Sequence, residues 1–382
     1  MTRITALLGM VLTFALGIDL HGEVIRARTP IRIPDIPGYV TLRCDFHTHT
    51  VFSDGAVWPN VRSEEAWREG LDAIAITDHI EYQPHKADLP TSHSRSFEIA
   101  KDSGDALGII VIRGSEVTRK MPPGHINAVF LQSNPPLDTP DWRDAIKAAS
   151  DQGAFIFWNH PGWTGQQPDG LARWYPEHTE LFEKRLIHGI EVVNDRSYYP
   201  EVHRWALEKN LTMMGNSDVH DPIGMDFDTD HQERRALTLV FATEKTPEAI
   251  KEALFAHRTA VLFEDMLVGR REYLEPLFKA SVKLINPSVT VKGKGLAYVQ
   301  VSNASDIDYE LIGDNRFDEV TASSRLILHS GKTVLLQIRG NSETTKGQKC
   351  FELKYTVKNL KLTPEEGLPV VIPVEVNFVA TR

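Results

Sequence analysis

The chain has 382 residues and a formal net charge of −10 at pH 7, and hydrophobic and charged residues make up 41% and 25% of it. This balance is ordinary for a globular protein and excludes a disordered or fibrous one. At this length we expect one large domain and a smaller one. The negative charge repels polyanions, so nucleic acid is not expected as a partner and small molecules are favoured.

Residues 1–22 have the features of a secretory signal peptide. Arg3 is followed by the apolar run Ile4–Ile18. About 15 apolar residues are fewer than the roughly 20 that a membrane-spanning helix needs, so no stable membrane span is expected. We expect processing near Gly22 and an exported protein, periplasmic or extracellular. A buried N-terminal helix is the alternative.

From residue 40 to about 243, short apolar runs alternate with helical stretches, which predicts repeated β/α units. Seven strands are predicted, at Val40–Phe46, Ala73–Thr77, Ile109–Arg113, Ile126–Leu131, Ala154–Trp158, Gly189–Val193 and Leu211–Gly215. The helices predicted between them are Ser63–Gly70, Ser92–Asp105, Asp141–Gln152, Pro176–Arg185 and Pro200–Lys209. An eighth apolar run, Leu237–Ala242, precedes a helix that starts at Thr246 and Pro247 and continues to about His257.

Near-continuous apolar strands separated by helices predict a parallel sheet, and this many β/α units in about 240 residues predict closure into a barrel. An open doubly wound sheet is the alternative. In a barrel, the polar residues that follow the strands gather on one face.

After about Glu275 the composition changes to β-branched runs separated by Gly, Asn, Asp and Ser, which predicts a small all-β domain of the sandwich type. The runs are Lys279–Ile285, Ala297–Val301, Ser324–Leu328, Thr333–Ile338, Phe351–Val357 and Val370–Val379. The expected organisation is a signal peptide at 1–22, a first domain at 40–270 and a β domain at 276–382.

Side chains that bind metals cluster at the ends of the predicted strands of the first domain. The candidates are His47, His49, Asp54, His79, Glu116, His125, His160, Asp218 and His220. His47 and His49 share a face, because alternate residues of a strand point the same way. A lone histidine after a strand is ordinarily a surface residue, but six of the fifteen histidines lie near strand ends.

Imidazole and carboxylate together favour Zn, Mn or Fe, and nine ligands exceed the needs of one ion. We therefore expect two to three divalent metal ions. Because every ligand precedes residue 221, we expect a chain ending at residue 270 to keep them.

The chain resembles the PHP (polymerase and histidinol phosphatase) domain family over about residues 40–260. The resemblance rests on a series of motifs, which are in order H-x-H-x4-D-G, T-D-H, E, H, N-H-P and D-x-H. The resemblance implies a distorted seven-stranded (β/α) TIM-like barrel and phosphate-ester hydrolysis with two or three metals. It implies that the first ion is held by His47, His49, Glu116 and Asp218. It implies that the second is held by Glu116, His125 and His160, and the third by Asp54, His79 and His220.

Two features depart from the family pattern. Asp54 stands where many members have histidine, which puts the third ion in doubt. The β domain lies outside the family core, although secreted phosphodiesterase-like relatives are similar in having one.

The expected function is hydrolysis of small phosphate esters, with phosphodiesters favoured, by a hydroxide that bridges two metals. Glu116 and Asp218 are the carboxylates on which catalysis depends. Arg196 is the first candidate to bind the phosphoryl group, ahead of Arg119 and Lys120, and His85 is a candidate to protonate the leaving group. For each of these cations, a solvated surface residue is the alternative.

Three other functions stay open. The first is a phosphomonoesterase of the histidinol-phosphatase type. The second is an amide or lactone hydrolase, because the same nucleophile can attack carbon. The third is a non-catalytic, metal-stabilised binding protein. The residues do not indicate the exact substrate, the native metal or the oligomeric state.

Overall fold

The computed structural model describes residues 27–90, 92–228 and 233–382, so the signal peptide predicted at 1–22 lies outside the described residues. The strands of the first unit are β1 (Val40–Asp45), β2 (Ala73–Ile76), β3 (Ile110–Val117), β4 (Ile126–Val129), β5 (Phe155–Trp158), β6 (Gly189–Asn194), β7 (Ser197–Tyr198), β8 (Thr212–Asn216), β9 (Leu237–Ala242), β10 (Thr259–Phe263) and β11 (Met266–Gly269). The helices are α1 (Pro59–Arg68), α2 (Arg95–Leu107), α3 (Trp142–Asp151), α4 (Pro176–Glu183), α5 (Pro200–Glu208), α6 (Ile223–Asp226), α7 (Pro247–Phe255) and α8 (Arg271–Ser281), with one 3-10 turn at Pro135–Leu137. No helix in these described ranges has the length and apolarity needed to cross a bilayer.

The barrel strands form two parallel sets joined by one reversed strand. β1, β2 and β3 are parallel neighbours, as are β5, β6 and β8. β4 lies between the sets and is antiparallel to both β3 and β5. The prediction of an all-parallel sheet is wrong here, because residues 118–125 form an irregular loop instead of a crossover helix, and a short connection joins antiparallel strands. β9 is likewise antiparallel to β1.

The barrel closes where the chain leaves β1 and β8. The amide of Asp218 donates to the carbonyl of His47 over 2.9 Å, and the amide of His49 donates to the carbonyl of Val219 over 3.1 Å. Because these bonds join the carboxyl ends of β1 and β8, the two histidines lie directly beside Asp218. The predicted α/β barrel class is confirmed, with the closing contacts made at the end where the candidate ligands lie.

A buried apolar cluster accounts for the position of the polar residues. Every second side chain along β1 and just beyond it points into one buried cluster, to which Leu42, Cys44 and Phe46 belong. They pack there with Phe155 and Phe157 of β5. Such a barrel is a packed core and not a pore, so polar side chains are accommodated at the strand ends.

The C-terminal part contains two β-sheets. Its strands are β12 (Val282–Leu284), β13 (Ser288–Lys292), β14 (Leu296–Asn303), β15 (Tyr309–Ile312), β16 (Val320–Ala322), β17 (Arg325–Leu328), β18 (Thr333–Gly340), β19 (Gly347–Lys361) and β20 (Gly367–Val379). One sheet has the order β12-β14-β18-β16, and the other contains β13, β15, β17, β19 and β20. Buried and exposed residues alternate along β14, as expected for a strand with one face on the core.

The predicted run Lys279–Ile285 is wrong at its start, because α8 continues to Ser281. Leu274, Leu277 and Phe278 of α8 are spaced for one helical face and are buried. This packing maintains the helix although Pro276 lies inside it.

The two units share one core. Leu267 and Val268 of β11 pair in parallel with Leu360 and Lys361 of β19. A single buried cluster runs from barrel strands β9, β10 and β11 through α8 into the β-sandwich. The chain therefore passes between the units through a packed helix.

Candidate metal centre

The loop after β1 is folded back by the carboxylate of Asp78. Its Oδ1 accepts hydrogen bonds from the amide of Thr50 over 2.7 Å and from the hydroxyl of Ser53 over 2.8 Å. This brings Asp54 back toward the strand, so that its Oδ1 lies 3.8 Å from Nδ1 of His49. Asp78 of the T-D-H motif thus shapes the loop that carries two ligand candidates.

Three buried side chains and the partly exposed Asp218 form the first group of donor atoms. Nε2 of His47 and Nε2 of His49 are 3.1 Å apart, and each lies 3.1 Å from Oε2 of Glu116. Each also lies 3.0 Å from Oδ1 of Asp218. Ligand atoms around one ion with bonds of about 2.1 Å lie roughly 3.0–3.4 Å apart. The four residues therefore fit a single transition-metal ion, and they match the first set that the resemblance implies.

The second group is built on the other oxygen of Glu116. Nδ1 of His125 lies 2.7 Å from Oε1 of Glu116, while Nε2 of His160 lies 3.7 Å from the same oxygen. Oε1 of Glu116 and Nδ1 of His125 are both buried without a hydrogen-bond partner among the described residues. A cation shared by the two atoms would satisfy both. The tightest group here contains His79 with Glu116 and His125, while His160 lies slightly farther away.

The third group surrounds Asp54. Its Oδ1 lies 3.4 Å from Nε2 of His79 and 3.2 Å from Nε2 of His220. His49 belongs to this group as well as to the first. In the described part of the chain, Oδ1 of Asp54 is another buried atom without a hydrogen-bond partner. The aspartate that replaces the usual histidine therefore still directs a donor atom at this position.

Mixed charges keep the ligands in unusual protonation states. Burial opposes the charge on Glu116, but His79, His125 and His47 outweigh it and hold its pKa well below the ordinary value. Burial also opposes protonation of His49, but the hydrogen bonds that its ring donates to Asp218 and Glu116 raise its pKa to about 9. Near neutral pH Glu116 is therefore ionised and His49 is protonated, so a divalent ion held here would replace the proton of His49.

Two ligand candidates have backbones in the left-handed region. His160 has a φ of 27° and Asp218 a φ of 55°. Such conformations cost about 1–3 kcal/mol each in non-glycine residues and concentrate at functional sites.

Comparison with known proteins agrees with this geometry. A two-domain protein of Bacteroides vulgatus, whose crystal structure is described as containing a predicted PHP-like metal-dependent phosphoesterase, is 43% identical to this chain. The match covers 92% of this chain and 100% of that one, with a TM-score of 0.86. This chain belongs to the PHP-like metal-dependent phosphoesterase family. It is accordingly a hydrolase of the class that acts on phosphoric esters.

Two further comparisons concern parts of the phosphoesterase. A family model described as an Ig-like domain matches residues 282–373, which agrees with the two β-sheets found there. An uncharacterized protein of Methanocaldococcus jannaschii is 41% identical over 85 residues, which are 22% of this chain and 37% of that relative. The chain thus spans little more than a third of that relative's length.

The sequence analysis missed Glu191, which forms hydrogen bonds to two of the ligand candidates. Oε1 of Glu191 lies 3.0 Å from Nδ1 of His47 and accepts from Nδ2 of Asn216 over 2.9 Å. Oε2 accepts from the amide of His160 over 2.7 Å. A carboxylate on the second ring nitrogen fixes the orientation of a ligating histidine. The available signal was a charged residue inside the otherwise uncharged, fully buried strand β6.

Seven of the nine ligand candidates of the phosphoesterase, all but His47 and His49, line a cleft of about 420 Å³. That volume is suitable for a small molecule. The aromatic residues that line it are Tyr82, Trp163 and Phe227, and the carboxylates beyond the ligands are Asp195, Asp221 and Asp226. The cleft is therefore aromatic on its walls and acidic at its rim.

Arg196 reaches the cleft but is already engaged. Its guanidinium donates to Oε1 of Glu233 over 2.8 Å and to the carbonyl of Asp226, and it lies 4.9 Å from the ring centre of Phe227. Among the described residues that line the cleft, Arg196 is the only lysine or arginine. A phosphoryl group would have to compete with Glu233 for it.

The other sequence candidates lie outside the residues described around the cleft. His85 is exposed and borders a small recess beside the cleft, which Asp78 and His79 also line. Arg119 pairs with Glu81 and donates to the carbonyl of Thr139 over 2.8 Å, and Lys120 is exposed. Proton donation by His85 stays a prediction, which its position does not favour.

Proposed function

We propose that the enzyme hydrolyses small phosphodiesters at this metal centre. The observation that carries the proposal is the position of Glu116, whose two buried oxygens face different imidazole groups beside an open cleft. Divalent ions bound here would supply a nucleophile from water near neutral pH and would neutralise charge on the phosphoryl oxygens.

The residues of the chain hold this arrangement rigid. Glu116 and Asp218 are ionised because neighbouring histidines lower the pKa of each carboxyl group against the effect of burial. Glu191 restrains His47 and the backbone of His160. Preorganised charges of this kind stabilise a transition state without the cost of reorganisation.

The charge of the cleft supports a diester over a monoester. A phosphodiester carries one negative charge, whereas a monoester carries nearly two at pH 7. Arg196 shares its charge with Glu233, and Asp195, Asp221 and Asp226 add negative charge around the opening. These carboxylates penalise a dianion more than a monoanion.

Matched p-nitrophenyl monoesters and diesters, assayed with the full chain after loading with Mn, Zn or Fe, test the proposal. We expect a higher kcat/KM on the diesters. A monoester preference contradicts the proposed substrate class, and hydrolysis of carboxyl esters or lactones alone contradicts phosphoryl transfer.

A variant of Arg196 tests how the phosphate is bound. Arg196→Ala should lower kcat/KM on the diester by roughly ten- to a thousandfold, about 1.4–4 kcal/mol, with metal content unchanged. Arg143→Ala is the matched control, since that arginine pairs with Glu180 at the surface and neither residue lines the cleft. Parental rates for Arg196→Ala on every phosphate ester would remove it from this role.

We also propose that the protein is exported, on the basis of the apolar run Ile4–Ile18. Fractionation of the native host followed by mass spectrometry of the N-terminal peptide tests this. Export predicts a mature chain that begins near Gly22 in the periplasm or the medium. An uncleaved chain in the cytoplasm contradicts it.

A further inference from the structure

A buried arginine of α1 connects the two loops that carry most of the ligands. The side chain of Arg62 is 1% exposed. The guanidinium donates to four backbone carbonyls. Nε donates to the carbonyl of His49 over 2.8 Å, and Nη1 donates to that of Asp221 over 2.8 Å. Nη2 donates to the carbonyls of Val219 over 3.2 Å and of His220 over 2.6 Å.

These carbonyls belong to segments that are far apart in sequence. The first follows β1 and leads to Asp54, and the second follows β8 and carries Asp218 and His220. A guanidinium is planar and presents its donors in a fixed fork, so it sets the distance between the groups that it binds. Without Arg62, the carbonyls of His49 and Asp221 would lose the donor described for them, and those of Val219 and His220 would keep only the amides of His49 and Ala56.

The charge of Arg62 is balanced by Glu65 one helical turn away. Oε2 of Glu65 accepts from Nη1 of Arg62 over 2.8 Å, and Oε1 accepts from the amide of Ile223 over 2.9 Å. The pair therefore extends the connection past Asp221 to the start of α6. A single helix thereby restrains the whole segment 219–223.

The contacts of Arg62 coincide with two ligands of the third group, His220 and His49, of which His49 is shared with the first group. The rings of His49 and His220 are stacked, with centres 4.2 Å apart and planes at 15°. Arg62 binds the backbone carbonyls of both residues. His125 and His160 of the second group lie on segments to which none of the described hydrogen bonds of Arg62 is directed.

We infer that Arg62 is a positioning residue for the ion of the third group: it holds the backbones of His49 and His220 at the separation at which their rings, Asp54 and His79 can surround one metal. It does not line the cleft among the described residues, so its effect on catalysis is indirect. This inference rests on the proposed ligand assignment and not on the identity of the substrate.

Metal titration of the full chain tests the inference, with Arg62→Met and Arg62→Lys compared with the parent. Calorimetric titration with Mn²⁺, together with elemental analysis, should show that Arg62→Met binds one ion 10–100-fold more weakly and keeps the others. Lysine has the charge but not the fork, so Arg62→Lys should lie between Arg62→Met and the parent. The absorption bands of Co²⁺-loaded protein should change for one ion only.

Arg258→Met is the matched control for the loss of a buried arginine. Arg258 is 8% exposed and donates to the carbonyl of Phe241 over 3.0 Å, near Tyr39 and away from the ligands. This variant should bind every ion like the parent. If Arg62→Met does not fold by circular dichroism, Arg62→Lys decides the question in the same titration.

Three results would overturn the inference: parental affinities for all ions in the folded variants, equal weakening of all ions, or a parent whose third group binds no ion at saturating Mn²⁺. Failure of the proposed function is distinguishable. A chain that hydrolyses no phosphate ester, but loses one ion in Arg62→Met, contradicts the function and supports the inference.

Discussion

Among single residues, Glu116 has the greatest influence on the centre. Its Oε2 lies within 3.2 Å of ring nitrogens of His47, His49 and His79, and its Oε1 lies 2.7 Å from His125. The carboxylate is fully buried, so its charge acts in a poorly screened environment. Loss of this charge affects every group of ligands at once.

Glu116→Gln should therefore reduce both metal content and rate. The amide has no charge and only one acceptor oxygen, so at least one ion should be lost and kcat/KM should fall at least about a hundredfold, about 2.7 kcal/mol. Elemental analysis and diester hydrolysis measure the two effects. Glu180→Gln, at a surface pair with Arg143, should match the parent. Near-parental metal content and rate in Glu116→Gln would exclude its role as a bridge.

Among the structural elements, the loop between β1 and α1 depends on a close backbone approach at Gly55. A Cβ at this position would lie 2.8 Å from the carbonyl carbon of His49 and from the amide nitrogen of Thr50. Backbone atoms cannot yield as a flexible side chain does. The D-G pair of the motif thus reflects a steric requirement as well as a ligand.

Gly55→Ala should displace the loop and weaken the third ion. We expect a loss of about 1–3 kcal/mol of folding free energy, as for overpacking, and weaker binding of one metal. Gly224→Ala is the matched control, because a Cβ there meets no atom within 4 Å. Urea unfolding and metal titration measure both effects. A Gly55→Ala variant as stable and as metal-rich as Gly224→Ala would contradict the steric argument.

The first turn of helix α4, which begins at Pro176, contains a histidine that must stay neutral. Nδ1 of His178 accepts from the amide of Tyr175 over 3.0 Å, and Nε2 bonds to the carbonyl of Pro123 over 2.7 Å. Its ring stacks on Trp158 with centres 3.6 Å apart. Burial lowers the pKa of His178 to about 4 from an ordinary value of 6.5. Protonation of Nδ1 would remove the acceptor that caps the helix.

The resulting pH dependence has a definite sign. Because the folded pKa of His178 is lowered, its contribution to stability is complete above pH 6.5 and is lost as the pH falls toward 4, by up to about 1.4 kcal/mol per pH unit. His178→Gln can still cap the helix and should show a shallower loss over this range, although it is less stable than the parent at pH 7. Urea unfolding from pH 8 to 4 measures the slopes. Equal slopes for both proteins would contradict a neutral His178.

For the whole molecule, the sequence suggests two separable domains, but the structure has a continuous core. Leu274 and Leu277 of α8 pack in the same cluster as Leu267 of β11 and Leu353 of β19. Truncation at residue 270 would expose this cluster and leave β11 without its partner β19. The continuous core therefore predicts the opposite of the expectation, drawn from the sequence, that such a chain keeps its metals.

A chain ending at residue 270 should be aggregated or unfolded, and should bind fewer ions than the full chain. Solubility, circular dichroism and elemental analysis measure this. Arg204→Ala is the control for the surface contact between the units, since its exposed pair with Glu365 should contribute little to stability. A monomeric, folded, metal-loaded truncated chain would restore the idea of independent domains.

The sequence by itself determined the local features of this phosphoesterase. The period of its apolar residues located the barrel strands to within a few residues, and Leu237–Ala242 was predicted at its observed bounds. The motifs at the strand ends identified the nine ligand candidates that the structure brings together. The alternation of side chains along a strand, which puts both histidines of H-x-H on one face, depends only on residues close together in the chain. The sequence alone could therefore indicate it.

The tertiary structure decided everything that depends on residues distant in the chain. One example is the antiparallel direction of β4. Others are the pairing of Arg196 with Glu233 and the hydrogen bond between Glu191 and His47, which involve residues that no local sequence pattern relates. The connection of the two ligand loops through Arg62 is of the same kind. In each case a buried polar group must be satisfied by whichever partner the fold brings near, and the fold selects that partner only once the strands are packed.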